Sequence, residues 1–162
     1  IDIQDHQHFV MSVRPLAPRR EIAGSYTLTI RASPDCGVGL GKGNLPEEAR
    51  VREYDATVHQ DGPTVEVTLR ADSFGSGGAA FSGRVEPGQV VFDLYWTGVE
   101  PHVIIEPLGS SRWFLVDGAA VIKDSTSGLF GTLAGELLVK ENFNQIPIAS
   151  CGSTRHEFSL TR

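Results

Sequence analysis

Eight residues in a row, Cys36-Gly37-Val38-Gly39-Leu40-Gly41-Lys42-Gly43, have the composition of a loop that wraps a phosphate. Such a loop needs a Gly five positions ahead of the Gly-Lys step and a Ser or Thr directly after the Lys. Backbone N–H groups then cradle the phosphate while the hydroxyl holds the magnesium ion. Cys36 and Gly43 occupy those two places here, and no helix or parallel β-α unit is signalled behind them. The run reads as a flexible lid or loop.

His6 and His8, with Asp2 and Asp5 beside them, show the His-x-His spacing that could begin a metal site on an extended chain. No third anchor is evident, so a solvated terminus is the reading, and neither a metal nor a cofactor is expected. His59 falls on the polar face of its strand, His102 follows Pro101 in a loop, and His156 lies near the C-terminus. All three read as surface or packing residues. Gly-x-Ser-x-Gly is absent, and Glu47-Glu48 suits the start of a helix better than acid–base work. No catalytic residue is expected.

The two cysteines are the most informative pair. Cys36 follows the first alternating strand, Tyr26 to Ile30, and Cys151 precedes the last, near Arg155 to Thr161. If those strands pair antiparallel, both sulfurs fall at one rim, close enough to join. An even, minimal cysteine count suits export and one structural disulfide; the alternative is two buried free thiols. The formal charge of -6 argues against nucleic acid and anionic membranes as partners. No apolar run approaches the roughly 20 residues of a spanning helix, and no signal peptide is evident. The start at Ile1 suggests a processed form or a piece of something longer.

What would position these residues is sheet. Apolar residues alternate at Tyr26/Leu28/Ile30, Tyr54/Ala56/Val58 and Val65/Val67/Leu69, with Asp61-Gly62-Pro63 making a hairpin of the last two. Further strands are expected at Phe81–Val85, Val90–Trp96, His102–Glu106, Arg112–Lys123 and Leu129–Lys140. Those eight segments from Tyr26 to Lys140 fit a closed up-and-down count. The C-terminal strand would be a ninth, returning over about 13 residues that can span about 40 Å. One short helix is expected in the 33–50 connection, capped by Asn44 with Pro46 in its first turn. Glycines inside strands, at Gly83, Gly118, Gly131 and Gly135, favour a curled barrel over a sandwich. Residues 1–21 read as an N-terminal extension with one strand at His8–Arg14, and 22–162 as a single β-barrel domain.

Residues 22–162 resemble the calycins, the superfamily of lipocalins, fatty-acid-binding proteins and avidins. Gly24-Ser25-Tyr26 stands where lipocalins open their barrel with Gly-x-Trp, and Ser33 to Arg50 matches their long lid-like loop. Many lipocalins also fasten the C-terminal segment by a disulfide, a role open to Cys36 and Cys151. A Thr-Asp-Tyr motif and a counterpart of the Arg that packs on the first-strand Trp are not found. The expectation is an all-β, antiparallel, eight- to nine-stranded calycin-like barrel, secreted or periplasmic, binding a small and mainly apolar ligand without catalysis. Tyr26, Tyr54, Phe92 and Trp96 would line the site beneath a 33–50 lid, although the same aromatics also suit a packed core. The rival expectation is an accessory or assembly module with no small ligand, using the N-terminal segment as an added edge strand on a protein partner. A carbohydrate-binding module ranks third and an enzyme last.

Overall fold

Alternation of apolar and polar residues is realised as the antiparallel barrel of the computed structural model, which describes residues 20–70, 74, 79–95, 104–125, 128–141 and 146–162. The chain begins with β1 (Gly24–Arg31) and three two-residue strands, β2 (Gly37–Val38), β3 (Gly41–Lys42) and β4 (Asn44–Leu45). A 3-10 turn at Glu47–Ala49 leads into β5 (Val51–Asp61), β6 (Thr64–Arg70), β7 (Ala79–Glu86) and β8 (Gln89–Asp93). The remaining strands are β9 (Ile105–Leu108), β10 (Arg112–Ser125), β11 (Gly128–Glu141) and β12 (Ala149–Thr161). The expected strand at His8–Arg14 lies outside the described residues, as do His6, Trp96 and His102.

The sheet closes on itself as eight antiparallel lanes, in the order β1-β5-β6-β7-β8-β10-β11-β12 and back to β1. A ninth lane is not needed. β8 and β9 both pair with β10, at Val90–Asp93 and Ile105–Leu108, so they share one interrupted lane. The C-terminal strand is the eighth lane, paired with β11 from Gly128↔Thr161 to Val139↔Ala149 as well as with β1. It is longer than its alternation suggests because a bulge shifts the register opposite Leu133–Gly135. Ala149 and Cys151 point inward before the bulge; His156, Phe158 and Leu160 do so after it. The parity switch hides the first half of the strand from a period-two reading.

The disulfide joins Cys36 to Cys151 across a separation of 115 residues, with Cα atoms 5.8 Å apart. It pins the 33–50 connection, which is an ordered flap. β3 runs parallel to the start of β12, with Gly41 N–H donating to the Ile148 carbonyl at 2.8 Å and Gly43 N–H to that of Ser150 at 2.7 Å. The expected helix is the single 3-10 turn, with Pro46 at its cap. The Asn44 side chain instead donates to the Leu40 and Lys42 carbonyls.

Curling depends on close strand contacts. Gly118 (φ 149°) and Gly135 face each other across β10 and β11, and a Cβ on Gly135 would lie 2.0 Å from the Asp117 carbonyl oxygen. The middle of the lumen is filled by Phe81, Phe92 and Phe158, whose ring centroids lie 5.4–6.2 Å apart and which are at most 1% exposed. Centroid spacings of this size favour tilted and edge-on aromatic contacts. The strand directions put the long joins after β1, β6 and β11, and the turn after β9, at one end of the barrel, while β8 gives way to β9 in mid-lane, where Leu94 N–H donates to the Gly118 carbonyl and Val116 N–H to the Ile104 carbonyl. Among the described residues the other end carries the short turns at 62–63 and 87–88.

Candidate functional site

Below the long connections, β5 turns Arg52 and Tyr54 into the lumen, on the same face as their β1 partners Ile30 and Leu28. Glu106 enters from β9, where it pairs with the buried Phe114. β5 and β9 lie three lanes apart in a ring of eight, so these side chains meet across the lumen. Arg52 Nε donates to Glu106 Oε2 at 2.8 Å, and its Nη2 donates to Oε1. The Tyr54 hydroxyl donates to Oε2 at 2.6 Å. One carboxylate thus receives the guanidinium fork and a phenol, the geometry that makes charge-assisted hydrogen bonds strong.

Glu106 is fully buried, whereas the Arg52 side chain is 24% exposed and links the lumen to solvent. Arg52 Nη1 also donates to the Glu48 carbonyl at 3.1 Å, tying the crossbar to the 3-10 turn. The Tyr54 ring packs at 5.3 Å against Phe74. Burial pushes the Tyr54 hydroxyl far above its usual range, and the adjacent Glu106 charge adds to this, so it stays protonated and donates to the carboxylate. Hydrogen bonding to Glu106 raises the Arg52 guanidinium further, against the opposing effect of burial.

The four aromatics singled out in the sequence are not one cluster. Tyr54 belongs to the crossbar and Phe92 to the aromatic layer beneath it, while Trp96 lies outside the described residues. Tyr26 sits toward the short-turn end. Its hydroxyl donates to the Ile22 carbonyl at 2.8 Å and accepts from Arg162 Nη2 at 3.0 Å, with the guanidinium carbon 5.0 Å from the ring centroid. Sequence reasoning missed Arg52, Glu106 and Arg162. Arg162 had a usable signal: once the last strand pairs with the first, Thr27↔Thr161, residue 162 arrives beside Tyr26. Arg52 continues the inward parity of Tyr54, but nothing local points to Glu106 as its partner.

A second polar group lies beneath the flap. His156 is fully buried, and its Nδ1 accepts the Ser33 N–H at 3.0 Å, so the proton resides on Nε2. Nε2 has no partner of hydrogen-bonding geometry, although the Gly135 and Cys151 carbonyls stand near enough to favour its proton. Burial nonetheless lowers the proton affinity of the imidazole overall. Ser33 Oγ bonds Asp35 at 3.1 Å, and Asp35 pairs with Arg155, which holds its carboxyl below the usual range. Serine, histidine and aspartate therefore gather here, but the histidine acceptor meets a backbone N–H and the hydroxyl faces the carboxylate. A nucleophile–base pair requires the reverse.

Among the described residues, no group of three or more His, Cys, Asp or Glu could hold a metal ion, and no helix is long and apolar enough to cross a membrane. Protein-family models, curated proteins and solved structures were all compared with this chain, and none matches it.

Proposed function

We propose that this barrel is a non-enzymatic binding protein of an oxidising, exported compartment, taking a small and mainly apolar molecule at the end that carries the long connections. One observation carries the reading: a charged crossbar, Arg52–Glu106, spans the lumen at that end and nowhere else among the described residues. Burying an ion pair rarely stabilises a fold more than well-packed apolar residues would, so its retention favours a recognition role. Tyr54 would line the site, with Phe92 in its floor and Tyr26 sealing the far end; Trp96, also expected in the lining, lies outside the described residues. Ligand sites of this kind are apolar with a few fixed polar groups.

Two further observations support the calycin part of the reading. Arg162 lies over Tyr26 of Gly24-Ser25-Tyr26, supplying the arginine beside the first-strand aromatic that was not found in the sequence. The Cys36–Cys151 bond fastens the C-terminal strand to the flap and suits an oxidising compartment. Native mass spectrometry of gently purified protein, paired with a Nile red titration, tests the proposal. A co-purifying compound or saturable one-site dye binding that Tyr54→Ala weakens is expected. A bare protein with no saturable binding would overturn it.

An assembly module is the second reading, in which the N-terminal segment binds a protein partner. Arg162 Nη2 donates to the Ala23 carbonyl at 3.5 Å, so both lie together at the short-turn end. A partner held through residues 1–21 would leave the opposite end free. Deleting those residues should abolish association while leaving the barrel folded.

A further inference from the structure

We propose that residues 20–23 form a latched strap at the short-turn end, and that its release opens the Arg20–Glu21 bond to a protease selective for paired basic residues, which separates residues 1–20 from an intact barrel. Such processing is independent of any ligand in the lumen.

Arg19-Arg20 is the only pair of adjacent basic residues in the chain. A protease with an acidic specificity pocket recognises such a pair, because guanidinium groups make charge-assisted hydrogen bonds to carboxylates. The pair falls where the N-terminal extension joins the barrel. Arg20 and Glu21 are exposed, whereas Ile22 is 1% exposed. Every hydrogen bond described for residues 20–23 has a side chain at one end. Gln60 Nε2 donates to the Arg20 carbonyl at 2.9 Å, and Gln60 Oε1 accepts the Ile22 N–H at 2.8 Å. Tyr26 holds the Ile22 carbonyl, Arg162 the Ala23 carbonyl, and Glu21 the Ala23 N–H. The β1–β5 ladder begins at Gly24, opposite Val58.

Segments outside a ladder open at lower free-energy cost than paired strands. Cutting beside the buried Ile22 therefore proceeds from the state in which Gln60 has let go, at a rate that follows the population of that state. Hydrolysis adds one water across the Arg20–Glu21 amide, leaving a carboxylate on Arg20 and an ammonium group on Glu21. Of the bonds above, the one from Gln60 to Arg20 leaves with the fragment. Ile22 keeps its bonds to Gln60 and Tyr26, so the base of the barrel closes again.

Incubation of the full chain with an endoprotease that cuts after paired basic residues, followed by intact-mass analysis, tests the assignment. A single cut after Arg20 is expected, with a product that still melts cooperatively. Gln60→Ala removes both bonds to the strap and should speed the cut about tenfold. Gln60→Glu keeps an acceptor for the Ile22 N–H but no donor for Arg20, and should fall between. It carries the same test should Gln60→Ala fail to fold. Arg19→Ala should abolish the cut. Equal rates in wild type and the Gln60 variants, or a product that no longer melts cooperatively, would overturn the strap. No cut after Arg20 in any variant would overturn the processing site.

Discussion

Arg162 lies over the ring of Tyr26, joining the last residue of the chain to the first inward-facing aromatic of the barrel. The contact closes the end opposite the long connections, where Tyr26 also holds the Ile22 carbonyl. Phenylalanine at position 26 keeps the ring but strands that carbonyl and removes an acceptor from Arg162. Tyr26→Phe should lower stability by about 1 kcal/mol, the usual scale for a lost hydrogen bond. Urea unfolding checks this, and an unchanged midpoint would contradict it.

Breaking the lumen crossbar from one side should cost more than removing it whole. Arg52→Met takes the guanidinium counter-charge from the buried Glu106 carboxylate and should destabilise by about 3 kcal/mol or more. Arg52→Met combined with Glu106→Leu should be less harmful than the sum of the single changes. Chemical denaturation of the four proteins gives the coupling directly, and additive effects would deny that the two residues act together.

Reduction of the disulfide should destabilise without unfolding. A bridge closing a loop of this length contributes on the order of 4 kcal/mol in a chain-entropy description. The barrel seam is held independently by the β1–β12 ladder. A Cys36→Ala/Cys151→Ala protein should therefore keep its sheet signal by circular dichroism at room temperature and melt many degrees lower.

Acid should weaken the anchorage of the flap in a window assignable to His156. Its folded-state proton affinity lies below the free value of 6.5, chiefly through burial. Below that pH the unfolded chain takes up a proton that the folded chain resists, so stability falls as pH drops from about 6.5; above it the residue contributes no slope. Asp35, held low by Arg155 and Ser33, adds stability that is lost only further down, in the carboxylate range. Unfolding free energy measured from pH 8 to 5 should decline in wild type, by at most about 1.4 kcal/mol per pH unit for one proton. His156→Asn, whose side-chain oxygen can still accept the Ser33 N–H, should flatten that decline.

Gly135→Ala places a methyl against the Asp117 carbonyl oxygen and the Gly118 Cα, 2.0 and 2.6 Å from the new Cβ. Backbone of a paired strand cannot move aside as a side chain can. The variant should lose about 2–3 kcal/mol or more, at the upper end for overpacking, read as a lower thermal midpoint.

Inward faces, hairpins and the cysteine pairing were legible in the sequence because they rest on local chemistry. Period-two alternation at Tyr26/Leu28/Ile30 and Val65/Val67/Leu69 states which side chains share a face, and Gly62 and Gly88 mark turns between neighbouring strands. Lane order and parity were less legible. The segment ending at Glu106 reads as a strand of its own, yet it completes the lane begun by β8. The bulge in β12 moved the inward set from Cys151 to His156, and no composition signal announces an extra residue. What only the tertiary structure decided is the meeting of Arg52 with Glu106, 54 residues apart and across the lumen. Alternation tells a side chain to point inward; the number of lanes and the curl of the sheet decide whom it meets there.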